Sequence, residues 1–289
     1  MKKLFRRLKV LISSILFIII LIIFCIWQNN SIVISNFNYY SSEVPSEFKD
    51  FKIVQISDLH NKMFGKEQSK LLEKIEKLSP DIIIVTGDLI DRRRYNLDKA
   101  MHFIEGSLKV APIYYVSGNH EAWSGKYNEI SEKLIEAGVH ILDNTTLELF
   151  KGKSKIQLLG LSDPAFLTSS YLEDTNTSNI EKYLSQWEDM EEFKILLSHR
   201  PEIFDLYCEY NINMIFSGHA HGGQFRIPSI GGLFAPDQGF FPKYTSGNYT
   251  NDKSTMFVSR GLGNSVLPIR LFNRPEIISV TLKSSDEKL

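Results

Sequence analysis

Five short segments of this chain concentrate side chains that bind metal ions: Asp58-Leu59-His60, Gly87-Asp88, Gly118-Asn119-His120-Glu121, Ser198-His199-Arg200 and Gly218-His219-Ala220-His221. Imidazole is the commonest protein metal ligand, and carboxylates can complete a site. In an extended segment residues i and i+2 point the same way, so His219 and His221 can reach one small volume. The carboxylates of Asp58 and Asp88, the imidazoles of His60, His199, His219 and His221, and the amide of Asn119 are donors enough for two divalent ions. One carboxylate can bridge two cations about 4 Å apart. Such a pair clamps the oxygens of an in-line phosphoryl displacement and lowers the pKa of a shared water, giving a metal-bridged hydroxide. The mixed nitrogen and oxygen set suits Mn, Fe or Zn better than Ca or Mg.

Each segment alone has a plainer explanation. Asp58 can cap a helix, Asp88 can follow Gly87 in a turn, Asn119 can hold a left-handed turn, and His199 can satisfy a helix N-terminus before Pro201. Those explanations do not account for the common position of all five. Each follows an apolar, strand-like run: 51–56, 81–86, 113–116, 193–197 and 214–216. In layered α/β folds, ligands gather outside the carboxyl ends of strands, and neighbouring glycines let the backbone turn sharply there.

Helical spacing is predicted for 66–78, 97–109, 127–137 (stopped by Gly138), 180–190, and from Pro201 to about 210. Segments 145–150 and 156–161 read as paired strands, as do 256–259 and 277–282 singly. Residues 163–178 read as a loop or lid. The long 222–251 loop carries Phe225, Ile227, Leu233, Phe234, Phe240 and Phe241, which suit either the core or contact with an acyl chain.

The N-terminus follows a different pattern. Residues 1–9 are basic, and 10–27 are an apolar run long enough to cross a bilayer as one helix. No small-residue cleavage site follows it, so an uncleaved anchor is expected. The basic cluster predicts a cytoplasmic N-terminus and a domain on the outer side of the cell membrane. Residues 28–50 read as a tether, with short strand character at 32–34, and 51–283 as one large domain. A net charge of −1 lacks the basic surplus that a nucleic-acid partner would require. Cys25 and Cys208, one of them inside the apolar run, make no disulfide framework.

The ordered motifs D-x-H, G-D, G-N-H-E, H and G-H-x-H resemble those of the calcineurin-like metallophosphoesterase superfamily. The form G-H-x-H-G-G-Q at 218–224, with 259–263, 268–270 and 274–276, is similar to its membrane-anchored bacterial branch. The resemblance covers 51–282. It implies an α/β fold, a four-layer αββα sandwich of mixed sheets, preceded here by one transmembrane helix. It also implies a metal-dependent phosphoesterase with two divalent ions. Asp58, His60 and His221 would hold one ion, Asn119, His199 and His219 the other, and Asp88 would bridge them. His120 would stand at the leaving-group oxygen as acid or hydrogen-bond donor, with Glu121 orienting it. Arg200 and Arg226 flank motif histidines and are expected either behind the ligands or against substrate phosphate, and Arg92, Arg93 and Arg94 either meet that phosphate or form a solvated charge run. His102 and His140 match no motif. The branch is similar to UDP-2,3-diacylglucosamine hydrolases of lipid A synthesis, whereas an outward-facing domain favours cell-envelope phosphodiesters. The expected partners are the lipid bilayer, through the N-terminal helix, and a phosphorylated, amphiphilic substrate. The competing expectation is an anchored, non-catalytic metal-binding scaffold.

Overall fold

The structure, a computed structural model, describes residues 2–167, 177–264 and 268–285. Residues 168–176 of the expected lid and 265–267 of the C-terminal motif lie outside the described residues. The chain opens with helix α1 (Lys2–Asn30), then β1 (Val33–Tyr40), β2 (Lys52–Ile56), α2 (Ser69–Leu78), β3 (Ile82–Thr86), α3 (Leu97–Leu108) and β4 (Ile113–Val116). It continues through α4 (Asn119–Ser124), α5 (Tyr127–Ala137), β5 (His140–Ile141) and the hairpin of β6 (Thr145–Lys151) and β7 (Ser154–Gly160). Next come α6 (Ser178–Trp187), β8 (Lys194–Leu197), α7 (Phe204–Glu209) and β9 (Met214–Ser217). Two small hairpins follow: β10 (Arg226–Ile227) with β11 (Gly231–Gly232), and β12 (Phe234–Ala235) with β13 (Gly239–Phe240). The chain closes with β14 (Gly247–Asn251), β15 (Ser254–Val258) and β16 (Glu276–Lys283).

These strands make two six-stranded mixed sheets, ordered β1-β16-β2-β3-β4-β5 and β14-β15-β9-β8-β7-β6. Alternation along each strand builds the layers. Ile53, Ile82, Ile84 and Val116 face Leu158, Ile195, Leu197 and Phe216 of the other sheet in a shared inner core. Val54, Ile56, Val85 and Tyr115 face the opposite way, onto Leu71, Ile75, Phe103 and Ile130 of the helices. Leu159, Leu196, Ile215 and Val258 do the same beneath Ile180, Leu184 and Phe204. Each fully buried aliphatic side chain stabilises the fold by about 1.5–3 kcal/mol. The result is the expected four-layer αββα sandwich.

One expectation needs correcting. Residues 28–50 are not a free tether. β1 pairs in parallel with β16 along its whole length, from Val33 opposite Glu276 to Tyr40 opposite Lys283. Its Ile34 packs on the helix-side core, and its Phe37 and Tyr39 on the inter-sheet core. Helix α1 also runs past the expected end at Trp27, to Asn30, and its end is fastened to the domain. Phe24 meets the Phe272 ring at 5.7 Å, and the Arg274 guanidinium lies 4.8 Å from the Trp27 ring. Asn264 donates to the Asn29 side chain at 3.0 Å, Arg274 donates to Ser31 O at 2.9 Å, and Lys62 donates to Asn29 O. A cation at the carbonyl end of a helix also suits its dipole.

Candidate metal centre

All five motifs occupy the carboxyl ends of parallel strands. Asp58 and His60 follow β2, Asp88 follows β3, Asn119 and His120 follow β4, His199 follows β8, and His219 and His221 follow β9. The first three strands belong to one sheet and the last two to the other, so the centre forms where the two sheets' ends meet. The turns are strained. Asp58, His60, Asp88, His219 and His221 all have φ between 46° and 62°, a region that costs a non-glycine residue of order 1–3 kcal/mol. The adjoining glycines make room. A Cβ on Gly87, at φ 81°, would lie 2.7 Å from Gly118 backbone and from His199 Nδ1. A Cβ on Gly218 would lie 1.9 Å from Ser57 Oγ.

The donors form two sets that share one atom. In the first, His60 Nε2 is 3.1 Å from His221 Nε2, and His221 Nε2 is 3.3 Å from Asp58 Oδ1. In the second, His199 Nε2 is 3.1 Å from Asn119 Oδ1 and 3.3 Å from His219 Nδ1. Asp88 Oδ2 lies 3.5 Å from His60 Nε2 and 3.4 Å from His199 Nε2, touching both sets. Ligands about 2.1 Å from a divalent ion stand roughly 3.0–3.4 Å apart, which is the spacing seen.

Orientation agrees with that reading. Asp58 Oδ2 accepts from Ser57 Oγ at 2.6 Å and from His219 N at 3.2 Å, while its buried Oδ1 has no hydrogen-bond partner. Asp88 Oδ1 accepts from His120 N at 2.8 Å, which leaves Oδ2 to the centre. His199 Nδ1 is 2.7 Å from Thr86 O, so it donates there and turns Nε2 inward. His219 Nε2 is 2.8 Å from Asp237 Oδ2 and 3.1 Å from Arg200 Nη1. The carboxylate makes Nε2 the protonated nitrogen, which turns Nδ1 inward.

The electrostatics favour cations. Burial, with His120 nearby, pushes His60 down to about 3, and burial with His60 pushes His221 well below its usual value. Both imidazoles are therefore neutral and keep a lone pair for a metal. Burial opposes charge on His199 too, but Asp88 outweighs it and holds that group up at about 10. The centre thus draws positive charge to itself. Asp58, His60, Asp88 and His221 have ligand atoms close enough together to hold one ion.

Other expected residues fall differently. His120 is buried beside His60, with ring centroids 4.4 Å apart. Arg92 N donates to its Nδ1 at 3.2 Å, so the ring proton sits on Nε2. Glu121 does not orient His120. Its Oε2 accepts from Asp88 N and Gly118 N, both at 2.8 Å, and its Oε1 accepts from Ile90 N at 3.1 Å. The carboxylate ties the two ligand loops together, because unpaired amides there would be buried. Arg200 takes the first of its two expected places, behind the ligand His219 rather than against substrate. Its Nε and Nη2 form a bidentate pair with Asp163 at 2.7 and 2.9 Å, and its Nη1 bonds Asp237. Arg226 instead donates to Gly222 O at 2.9 Å and Thr245 Oγ1 at 3.2 Å, bracing the loop. Arg94 pairs with Asp91 at 2.6 Å, and Arg92 lies over the Trp123 ring at 4.9 Å. His102 and His140 are exposed and stand apart from the centre.

Sequence reasoning missed Asp163, Asp237 and Asn273. Asn273 donates to His221 O at 2.7 Å. Asp163 follows β7, so its position at a strand end was an available signal. Asp237 and Asn273 sit in loops without a local pattern.

A metal-dependent hydrolase is the class that this fold and this pair of donor sets define. The calcineurin-like phosphoesterase profile matches residues 51–223. The metallophosphoesterase YkuE of Bacillus subtilis is 35% identical over 254 residues, covering 85% of this chain and 84% of that protein. The phosphodiesterase YaeI of Escherichia coli is 26% identical, covering 81% and 84%. A transmembrane protein with a metallophosphoesterase domain from Danio rerio is also 26% identical, covering 84% of this chain and 55% of its own length. The chain belongs to the calcineurin-like phosphoesterase family and is a hydrolase acting on phosphoesters.

Proposed function

We propose that the chain hydrolyses a phosphoester of an amphiphilic, membrane-associated or cell-envelope substrate, with two divalent ions held by the two donor sets. The observation that carries this reading is Asp88 Oδ2, within 3.5 Å of the inward nitrogen of each set. Asp58, His60 and His221 would hold one ion and Asn119, His199 and His219 the other, with Asp88 between the two sets. Such ions would supply charge for the oxygens of an in-line displacement and a more acidic water. Mn, Zn or Fe fits the donor types best.

The chain's own residues supply the rest. His120 presents Nε2–H beside the centre, and burial lowers its pKa, so it is a neutral donor near pH 7. It stabilises the departing oxygen by hydrogen bonding. Its backbone N–H is held by Asp88, so donor and bridge move together.

The location rests on α1, which by length and composition can cross a membrane, with a mean hydropathy of 3.2 over its apolar window. Lys2, Lys3, Arg6, Arg7 and Lys9 precede that run, so the N-terminus is cytoplasmic and the hydrolase domain lies outside. The expected likeness to UDP-2,3-diacylglucosamine hydrolases finds no support in the relatives above, and YaeI's name favours a diester.

The test is to strip metal from the full chain in detergent, restore Mn, Zn, Fe or Mg, and assay an aryl monoester against an aryl diester. Turnover that returns with two equivalents of metal supports the reading. Two equivalents bound without turnover on either ester favours the non-catalytic scaffold.

A further inference from the structure

The 222–251 segment bears on where the site sits. Ile230, Phe234, Phe240, Phe241, Ile269 and Phe272 are all exposed, Phe240 by 79% and Phe241 by 68%. Contacts join four of them to one another. Phe234 and Phe240 pack at 5.5 Å between centroids. Phe241 N donates to Leu233 O, Leu233 N donates to Phe225 O, and Arg226 N donates to Leu271 O. Leu271 adjoins Phe272, which touches Phe24 of α1.

That last contact sets the height. Phe24 lies three residues before Trp27, about 4.5 Å further along the helix toward the apolar run. Tryptophan prefers the membrane interface. If Trp27 marks that level, Phe24 is already among the acyl chains, and an exposed Phe272 packed against it must be there too. A cavity of about 260 Å³ lies on the same side, lined by His60, Lys62, Arg94, Lys99 and Asn264 among others. Lys62 and Asn264 are the residues that hold Asn29 at the foot of α1, so this cavity adjoins both the metal centre and the membrane helix.

We infer that the apolar band at 227–241, with Ile269 and Phe272, is a second membrane contact that inserts into the surface of the same bilayer that α1 crosses. It holds the mouth of the centre at the level of the lipid head groups, where a phosphoester on a lipid can enter without leaving the membrane. The inference rests on α1 being a membrane anchor.

The test places single tryptophans in the full chain, reconstituted in phosphatidylcholine vesicles with or without brominated acyl chains. The variants are Phe240→Trp, Phe272→Trp and, on the far helix layer, Ile135→Trp. The native chain supplies the background. Bromine should quench the added emission of Phe240→Trp and Phe272→Trp, with a blue shift, and spare that of Ile135→Trp. Quenching of Trp27, read as the difference between the native chain (which also has Trp123 and Trp187) and Trp27→Phe, without quenching at 240 overturns the inference while leaving the anchor standing. No quenching of Trp27 overturns the anchor itself, and the second contact with it.

Discussion

The two halves of the metal centre reach similar geometry by different means. The half built from Asp58, His60 and His221 relies on charge, since two carboxylates, Asp58 and the shared Asp88, face it. Its imidazoles lack outer support among the described residues, where Nδ1 of His60 and of His221 makes no hydrogen bond. The half built from Asn119, His199 and His219 has a neutral amide in place of Asp58 but is braced behind the ligands. Thr86 O fixes His199, and Asp237 fixes His219, with Asp237 in turn held by Arg200, whose guanidinium Asp163 orients. Outer hydrogen bonds of this kind fix the imidazole tautomer and raise its basicity. Charge and bracing are thus alternative ways to prepare a donor set, and the two sets of this chain differ in which they use.

Substitutions can separate the halves. The largest effect is expected from Asp88→Ala, which removes the shared oxygen. Metal analysis should find both equivalents lost and turnover at background. A variant keeping either ion tightly would break the claim of a shared bridge. Asp58→Ala should remove one equivalent only, leaving the braced half loaded, and should still stop turnover because displacement needs both ions. His120→Ala removes no metal ligand, although its ring packs against His60. It should keep two equivalents of metal while kcat falls by ~10²–10⁴. Unchanged turnover there would favour the scaffold. The smallest effect should come from Asp237→Ala, which leaves every ligand in place and weakens one of two metal affinities by ~10–100-fold. Calorimetric titration should show the other affinity unmoved. An equal loss at both positions would show the bracing to be shared rather than one-sided.

The parts of this centre that were legible in the sequence are those whose chemistry depends on local spacing. The pairs Asp58/His60 and His219/His221 announce themselves because two residues apart on an extended chain means one shared direction. The strands before them are apolar runs, buried in the sandwich. Glu121 shows the limit of such reading. Its place beside His120 suggested that it serves that ring, yet its carboxylate reaches the amides of Asp88 and Ile90 on a different loop. Arg200 carried two expectations, and the partners that choose between them, Asp163 and Asp237, are distant in the chain. Of β1 only the strand character at 32–34 was legible, for a related reason. An edge strand needs one neighbour, and its neighbour β16 lies at the opposite end of the chain.

The sequence by itself determined the donor types, their place at strand ends, the layered α/β fold and an apolar N-terminal helix, because each depends on residues within a few positions of one another. The tertiary structure alone decided which donors lie within ligand distance of one another, which imidazoles are braced, and that the foot of α1 is fastened beside the exposed apolar residues. Those relations exist only once one sheet pairs strands from opposite ends of the chain and the two sheets bring their carboxyl ends together.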